Sequence, residues 1–128
     1  MKVLLDTCTF LWIAVESPRL SMTAVRLFRD PDTEVYLSTA SSLEIAIKSS
    51  QGRLPLPEPA HSYVPSRRAV YRIHSLPVDE ESALRIARLP RIHGDPFDRI
   101  LVCQAVVHGM TILTPDEAIT QYAVRVVW

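Results

Sequence analysis

Short apolar runs alternating with helix-like stretches are the feature that most constrains this chain. Val3-Leu4-Leu5 reads as a buried strand that stops at Asp6. Glu34 to Leu37, Tyr71 to Leu76, Met110 to Leu113 and Ala123 to Val127 read as four more strands. Between them, Thr7 to Val15, Ser21 to Phe28, Ser41 to Ser49, Asp79 to Leu89, Pro96 to His108 and Pro115 to Tyr122 read as helices. Leu43, Ile45, Ala46 and Ile47 are expected to be buried. Ala83, Leu84, Ile86 and Ala87 are expected to face inward. Gly52 to Pro59 holds three prolines and must be irregular; His61 to Val70 is ambiguous because Pro65 lies inside it. Such alternation packs as a parallel sheet covered by helices on both faces. The expected fold class is therefore α/β, a three-layer α/β/α sandwich with a five-stranded, mainly parallel sheet. Ligands bind beyond the carboxyl ends of such strands, so each residue that directly follows a strand is a site candidate.

A length of 128 residues is that of one domain, 1–128. With 48% hydrophobic and 22% charged residues, the chain is not a disordered one. A net charge of zero gives no broad basic field for nucleic acid, but an acidic site would offset basic residues elsewhere. Lys2 and Lys48 are the only lysines, so the positive charge is nearly all arginine, which suits phosphates and carboxylates. Three glycines, Gly52, Gly94 and Gly109, exclude a Gly-rich phosphate loop. Asp6-Thr7-Cys8 lacks the second Asp two residues on that aspartyl-phosphate hydrolases use. Cys8 and Cys103 form no CxxC pair and read as buried free thiols of a reducing compartment. Asp6, Thr7 and Thr9 interrupt the apolar start, and no later stretch is long enough for a membrane span, so a cytoplasmic protein is expected.

Asp6 ends the first strand, and Glu44 opens the helix after the second. Asp95 and Asp98 open the helix before the fourth strand, and Asp116 opens the one after it. Each acid also has a capping account. Ser41-x-x-Glu44 matches a capping box. Asp95-Pro96-Phe97-Asp98 reads as an N-cap, a proline at N1 and a carboxylate at N3, and Thr114-Pro115-Asp116-Glu117 repeats the pattern. Asp6 or Thr7 would cap the first helix. Helix N-termini of a parallel sheet share one edge, so some clustering needs no further cause. Carboxylates about 5 Å apart nevertheless repel by roughly 3 kcal/mol at an effective dielectric constant of 20. Several in one pocket call for a cation or for raised pKa values. An all-oxygen set suits Mg²⁺ or Mn²⁺ rather than zinc.

Four segments in this order resemble the PIN domain, and within it the VapC-type toxins of toxin–antitoxin pairs. They are Leu4-Leu5-Asp6-Thr7 with Phe10-Leu11-Trp12, then Ser38 to Lys48 with Gly52-Arg53-Leu54. The third, His93 to Arg99 with Ile100-Leu101 and Gln104-Ala105, is the most specific. The last is Leu113 to Asp116 with Ile119, Tyr122 and Trp128. The resemblance implies catalytic and metal-binding carboxylates at Asp6, Glu44, Asp98 and Asp116. It further implies a Mg²⁺- or Mn²⁺-dependent endoribonuclease acting on RNA, a VapB-like antitoxin partner and a homodimer. Asp95, Arg99 and Thr7 are expected behind the metal-binding carboxylates, supporting them, or in contact with the substrate. Cys8 stands where many relatives carry His. The competing reading is a PIN-fold binding module with weak or no catalysis that acts through a protein partner. Glu44 and Lys48, four residues apart, also fit a surface ion pair.

Overall fold

Five strands and seven helices alternate along the chain in the computed structural model, which describes residues 1–128. In order they are β1 (Lys2–Leu5), α1 (Thr7–Ala14), α2 (Met22–Arg29), β2 (Glu34–Ser38), α3 (Thr39–Ser50), α4 (Ala60–Tyr71), β3 (Ile73–Leu76), α5 (Glu80–Arg85) with a 3-10 turn at Ile86–Arg88, α6 (Pro96–His108), β4 (Thr111–Leu113), α7 (Glu117–Thr120) and β5 (Val126–Val127). The sheet order is β3-β2-β1-β4-β5, and all four pairings are parallel. The expected class holds, with a sheet that is wholly rather than mainly parallel.

Side-chain alternation on the strands builds two cores. Val3 and Leu5 pack on one face with Phe10 and Ile13 of α1, Ala24 of α2, Ile45 of α3 and Val64 of α4. Leu4 points the other way, onto Leu101, Val102 and Ala105 of α6 and Ile119 of α7. Each fully buried side chain of this kind contributes about 1.5–3 kcal/mol. Strand order runs outward from β1 to β3 and then resumes with β4 on the other side of β1. The switch point therefore falls between β1 and β4, where Leu5 pairs with Leu113. Asp6 and Thr114 leave the sheet side by side at that point, and the Asp6 N–H donates to the Leu113 carbonyl.

Several expectations about the helices are corrected. α3 starts at Thr39 with Ser38 as its cap, not Ser41; the Ser38 hydroxyl accepts from Ala40 N at 3.0 Å. Its buried face is Ala40, Ser41, Glu44 and Ile45. Leu43 is 55% exposed, and Ala46 and Ile47 are exposed as well. Hydrogen bonds with Thr7 draw the polar pair Ser41 and Glu44 inward, and Leu43 and Ala46 line a groove against α4 instead.

The ambiguous segment forms α4, which runs through Pro65 and takes in Tyr71. Pro65 and His61 are both exposed, so solvent can serve the His61 carbonyl that loses its helical donor. Arg72, at φ 56°, ends this helix in the left-handed region. On α5 only Ser82 is buried; Ala83 and Ala87 are exposed, Ile86 is half-buried and Leu84 is 67% exposed. α7 and β5 are shorter than their sequence patterns indicated.

Candidate active site

Asp6 lies at the centre of the switch point and is only 4% exposed. Its Oδ1 caps α1 by accepting from Thr9 N at 2.8 Å, and its Oδ2 accepts from the Thr114 hydroxyl. Thr114 Oγ1 in turn accepts from Asp116 N at 3.0 Å. One threonine directly after β4 thus fixes two of the acids. The sequence offers Thr114 as a helix cap and a motif member; its place directly beyond the strand that pairs with β1 is the signal for this second task. Thr114→Val is expected to cost about 1–3 kcal/mol, the range for leaving a buried partner unsatisfied. Denaturant unfolding in chelator measures this, and Thr114→Ser should restore most of the loss.

Asp116 is itself the cap of α7, accepting from Ala118 N at 2.9 Å. Thr114 is therefore not the cap, and Pro115 precedes it rather than occupying N1. Asp95 caps α6 as expected, accepting from Phe97 N at 2.9 Å, with Pro96 in the first turn and Asp98 following it. Gly109, at φ 65°, closes that helix in the left-handed conformation that glycine adopts without strain.

The structure brings Asp6, Asp98 and Asp116 within electrostatic reach of one another, with Asp95 beside Asp98. Burial raises the Asp6 pKa, its hydrogen bonds from Thr114 and Thr9 oppose the rise, and the Asp116 charge adds to it. Asp98 is pushed up to about 7, first by burial, then by the Asp95 charge, with Asp116 and Asp6 adding to it against the His93 contact. No lysine or arginine offsets these two carboxylates. As the side chains stand, no group of three or more His, Cys, Asp or Glu residues closes to metal-ligating distance. Mutual repulsion opposes such closure without a cation.

Glu44 is held by contacts of its own, with Thr7 and Lys48 and not with the three aspartates. It is 7% exposed and accepts from Thr7 Oγ1 at 2.6 Å and from Lys48 Nζ at 2.5 Å. Thr7 Oγ1 also lies 3.0 Å from Ser41 Oγ. The capping account of Glu44 fails, because it lies beyond the first turn of α3; the ion pair with Lys48 forms, four residues on, with its Glu side buried and its Lys side partly exposed. Arg99 does not face the acids. Its guanidinium donates to the carbonyls of Ile86, Leu89, Pro90 and His93 and to the Tyr122 hydroxyl.

The donor chemistry fits a hard cation. Cys8 is exposed rather than buried, yet partial desolvation and the Asp6 charge push its thiol up to about 11, so it stays protonated and is a poor ligand. His93 has both ring nitrogens engaged. Carboxylate oxygens are what remain, the donors that hard divalent cations take.

Comparison with known proteins agrees with this geometry. The PIN domain profile matches residues 3–125. This chain belongs to the PIN domain family. Among PIN relatives, Ribonuclease VapC22 of Mycobacterium tuberculosis is 28% identical over 121 residues, spanning 94% of this chain and 91% of that protein. Ribonuclease VapC16 of the same organism is 38% identical over 90 residues, spanning 67% of this chain and 61% of that protein. VapBC2 from Rickettsia felis, solved bound to a DNA fragment from its promoter, shares the PIN fold at a TM-score of 0.77 and 12% identity, covering 100% of this chain and 99% of that one. VapBC-1 from nontypeable Haemophilus influenzae does so at a TM-score of 0.66 and 17% identity, covering 99% and 97%. No helix of this PIN chain is long and apolar enough to cross a membrane.

Proposed function

We propose that this chain is a Mg²⁺- or Mn²⁺-dependent endoribonuclease toxin, one domain over residues 1–128, that is neutralised by a VapB-like antitoxin and acts in the cytoplasm as a homodimer. The observation that carries the reading is the gathering of buried Asp6 with half-buried Asp98 and Asp116 at the switch point of a PIN fold, where the Asp116 charge raises the pKa of both Asp6 and Asp98. The ribonuclease names of its relatives point the same way. An antitoxin has a surface to meet: Leu43 of α3 stands exposed in a groove with Val64 and Pro65 of α4.

Asp6 and Asp98 would hold the metal, with Glu44 and Asp116 completing or supporting the set. A bound divalent ion supplies an activated water and stabilises charge on a phosphoryl oxygen. The chain's own work is to hold these carboxylates in place. Thr114 and the Thr9 amide fix the two oxygens of Asp6, so that its carboxylate meets a ligand in one orientation. Thr7 and Lys48 hold Glu44, and Thr114 ties Asp116 to the same strand end. Asp95 acts on Asp98 through the cap of α6, while Arg99 fastens the segment that leads into that helix.

Purified protein is expected to cut total RNA with Mg²⁺ or Mn²⁺, to stop with EDTA, and to leave 5′-phosphate and 3′-hydroxyl ends. Metal-independent cleavage would overturn the mechanism. No cleavage, with metal binding absent, would favour the binding-module reading.

A further inference from the structure

Residues 86–93 lead into α6, and Arg99 binds four of their carbonyls. Arg99 Nη1 donates to the Pro90 carbonyl at 2.8 Å, the His93 carbonyl at 3.4 Å and the Tyr122 hydroxyl at 3.2 Å. A guanidinium has donors and no acceptor. The Tyr122 oxygen therefore accepts from Arg99, and its one proton is left for its other partner, His93 Nδ1 at 2.7 Å. A neutral imidazole that accepts at Nδ1 carries its proton on Nε2. His93 Nε2 faces Asp98 Oδ2 at 3.4 Å. Donors running one way, from Arg99 to Tyr122 to His93 to Asp98, satisfy every one of these contacts.

The path is rigid at its middle. Tyr122 is 4% exposed and belongs to the core beside α6, and its ring lies 5.5 Å from the His93 ring, centroid to centroid. The Tyr122 ring cannot turn its hydroxyl to solvent without leaving that packing. Partners of this kind, which orient a metal-binding side chain from behind, commonly set metal affinity.

We propose that Arg99, Tyr122 and His93 form a positioning relay that presents the His93 Nε2–H to Asp98 Oδ2, leaving Oδ1 as the oxygen available to the metal. The proposal rests on the metal-site reading above for its purpose, but its hydrogen-bond direction is a separate claim. All three are positioning residues, since each acts through Asp98. It also explains why Arg99 follows Asp98 directly while pointing away from the acids: one helix turn fixes the carboxylate and the anchor of its own support.

Two measurements test it. The ¹⁵N shifts of His93 in the metal-free protein should report the Nε2-protonated tautomer. Tyr122→Phe should populate both tautomers while the fold is retained. Mn²⁺ titration calorimetry should then show His93→Leu binding about 10–100-fold more weakly than wild type. His93→Gln, whose side-chain amide keeps a donor at a similar reach, should recover most of that loss. A wild-type His93 protonated on Nδ1, or a His93→Leu protein that binds Mn²⁺ as tightly as wild type, would overturn the relay. A wild-type protein that takes up no Mn²⁺ would overturn the metal reading instead, and the tautomer would still decide the hydrogen-bond direction.

Discussion

Asp98→Asn is expected to lower RNA cleavage on the order of a thousandfold, the upper end for one group in a preorganised electrostatic site, while making the metal-free protein more stable. The two effects have one cause. Asp98 is raised from 3.8 to about 7 because its charge is buried beside Asp95, Asp116 and Asp6. The folded chain keeps that proton up to about pH 7, whereas the unfolded chain releases it near the ordinary carboxylate value. Between those limits the folded state binds more protons, so its stability falls as pH rises through the window and is lowest above pH 7. Asparagine does not titrate and can still accept from His93. In chelator, the variant should match wild type at acidic pH and exceed it above neutrality, by on the order of 2 kcal/mol after solvent screening. Urea unfolding across that range measures the gain, and RNA cleavage with Mg²⁺ measures the loss. Equal stability at all pH values would mean that the Asp98 charge is not strained.

Mn²⁺ affinity should rise about tenfold per pH unit below the Asp98 transition and level off above it, because the ion must displace the proton it replaces. Asp6, raised in the same direction by burial, steepens the dependence where both carboxyls are protonated. Titration calorimetry in buffers of differing ionisation enthalpy counts the protons released. Asp98→Asn should remove the greater part of the slope. An affinity independent of pH across the transition would show that the ion is held without these carboxylates. The same dependence predicts that cleavage under subsaturating metal is slow in mild acid and fast above neutrality.

Much of the site could be read before the structure, for reasons that differ residue by residue. Asp6 was legible because a three-residue apolar run ending in an acid has few other meanings in a parallel sheet. Asp95 and Asp98 were legible because Asp-Pro-x-Asp fits a helix start with little freedom of register. Glu44 was ambiguous because Ser38, Thr39, Ser41 and Ser42 all offer capping oxygens. The end of β2 decides among them, and choosing Ser38 removes Glu44 from the cap.

Arg99 could be placed near the acids but not aimed, because sequence gives a charge and no direction. Five oxygen acceptors brought together by the 86–93 segment and Tyr122 turn it from the acids, and only the tertiary fold assembles them. Leu43, Ile47 and Leu84 failed for another reason. Helical spacing shows that a stripe is apolar, not that anything in the same chain covers it. Thr114 reads as a helix cap in sequence, and its bond to Asp6 is not legible there, because it depends on β4 lying beside β1, a long-range pairing that spacing along the chain does not contain.

Cleavage of one end-labelled RNA by wild type and Asp6→Asn, each purified identically and assayed with Mg²⁺ and with EDTA, tests the central claim most directly. The account predicts cutting by wild type with Mg²⁺ alone, with wild type in EDTA and the variant under both conditions silent. Asp6→Asn cutting at the wild-type rate, or wild type cutting undiminished in EDTA, would contradict it.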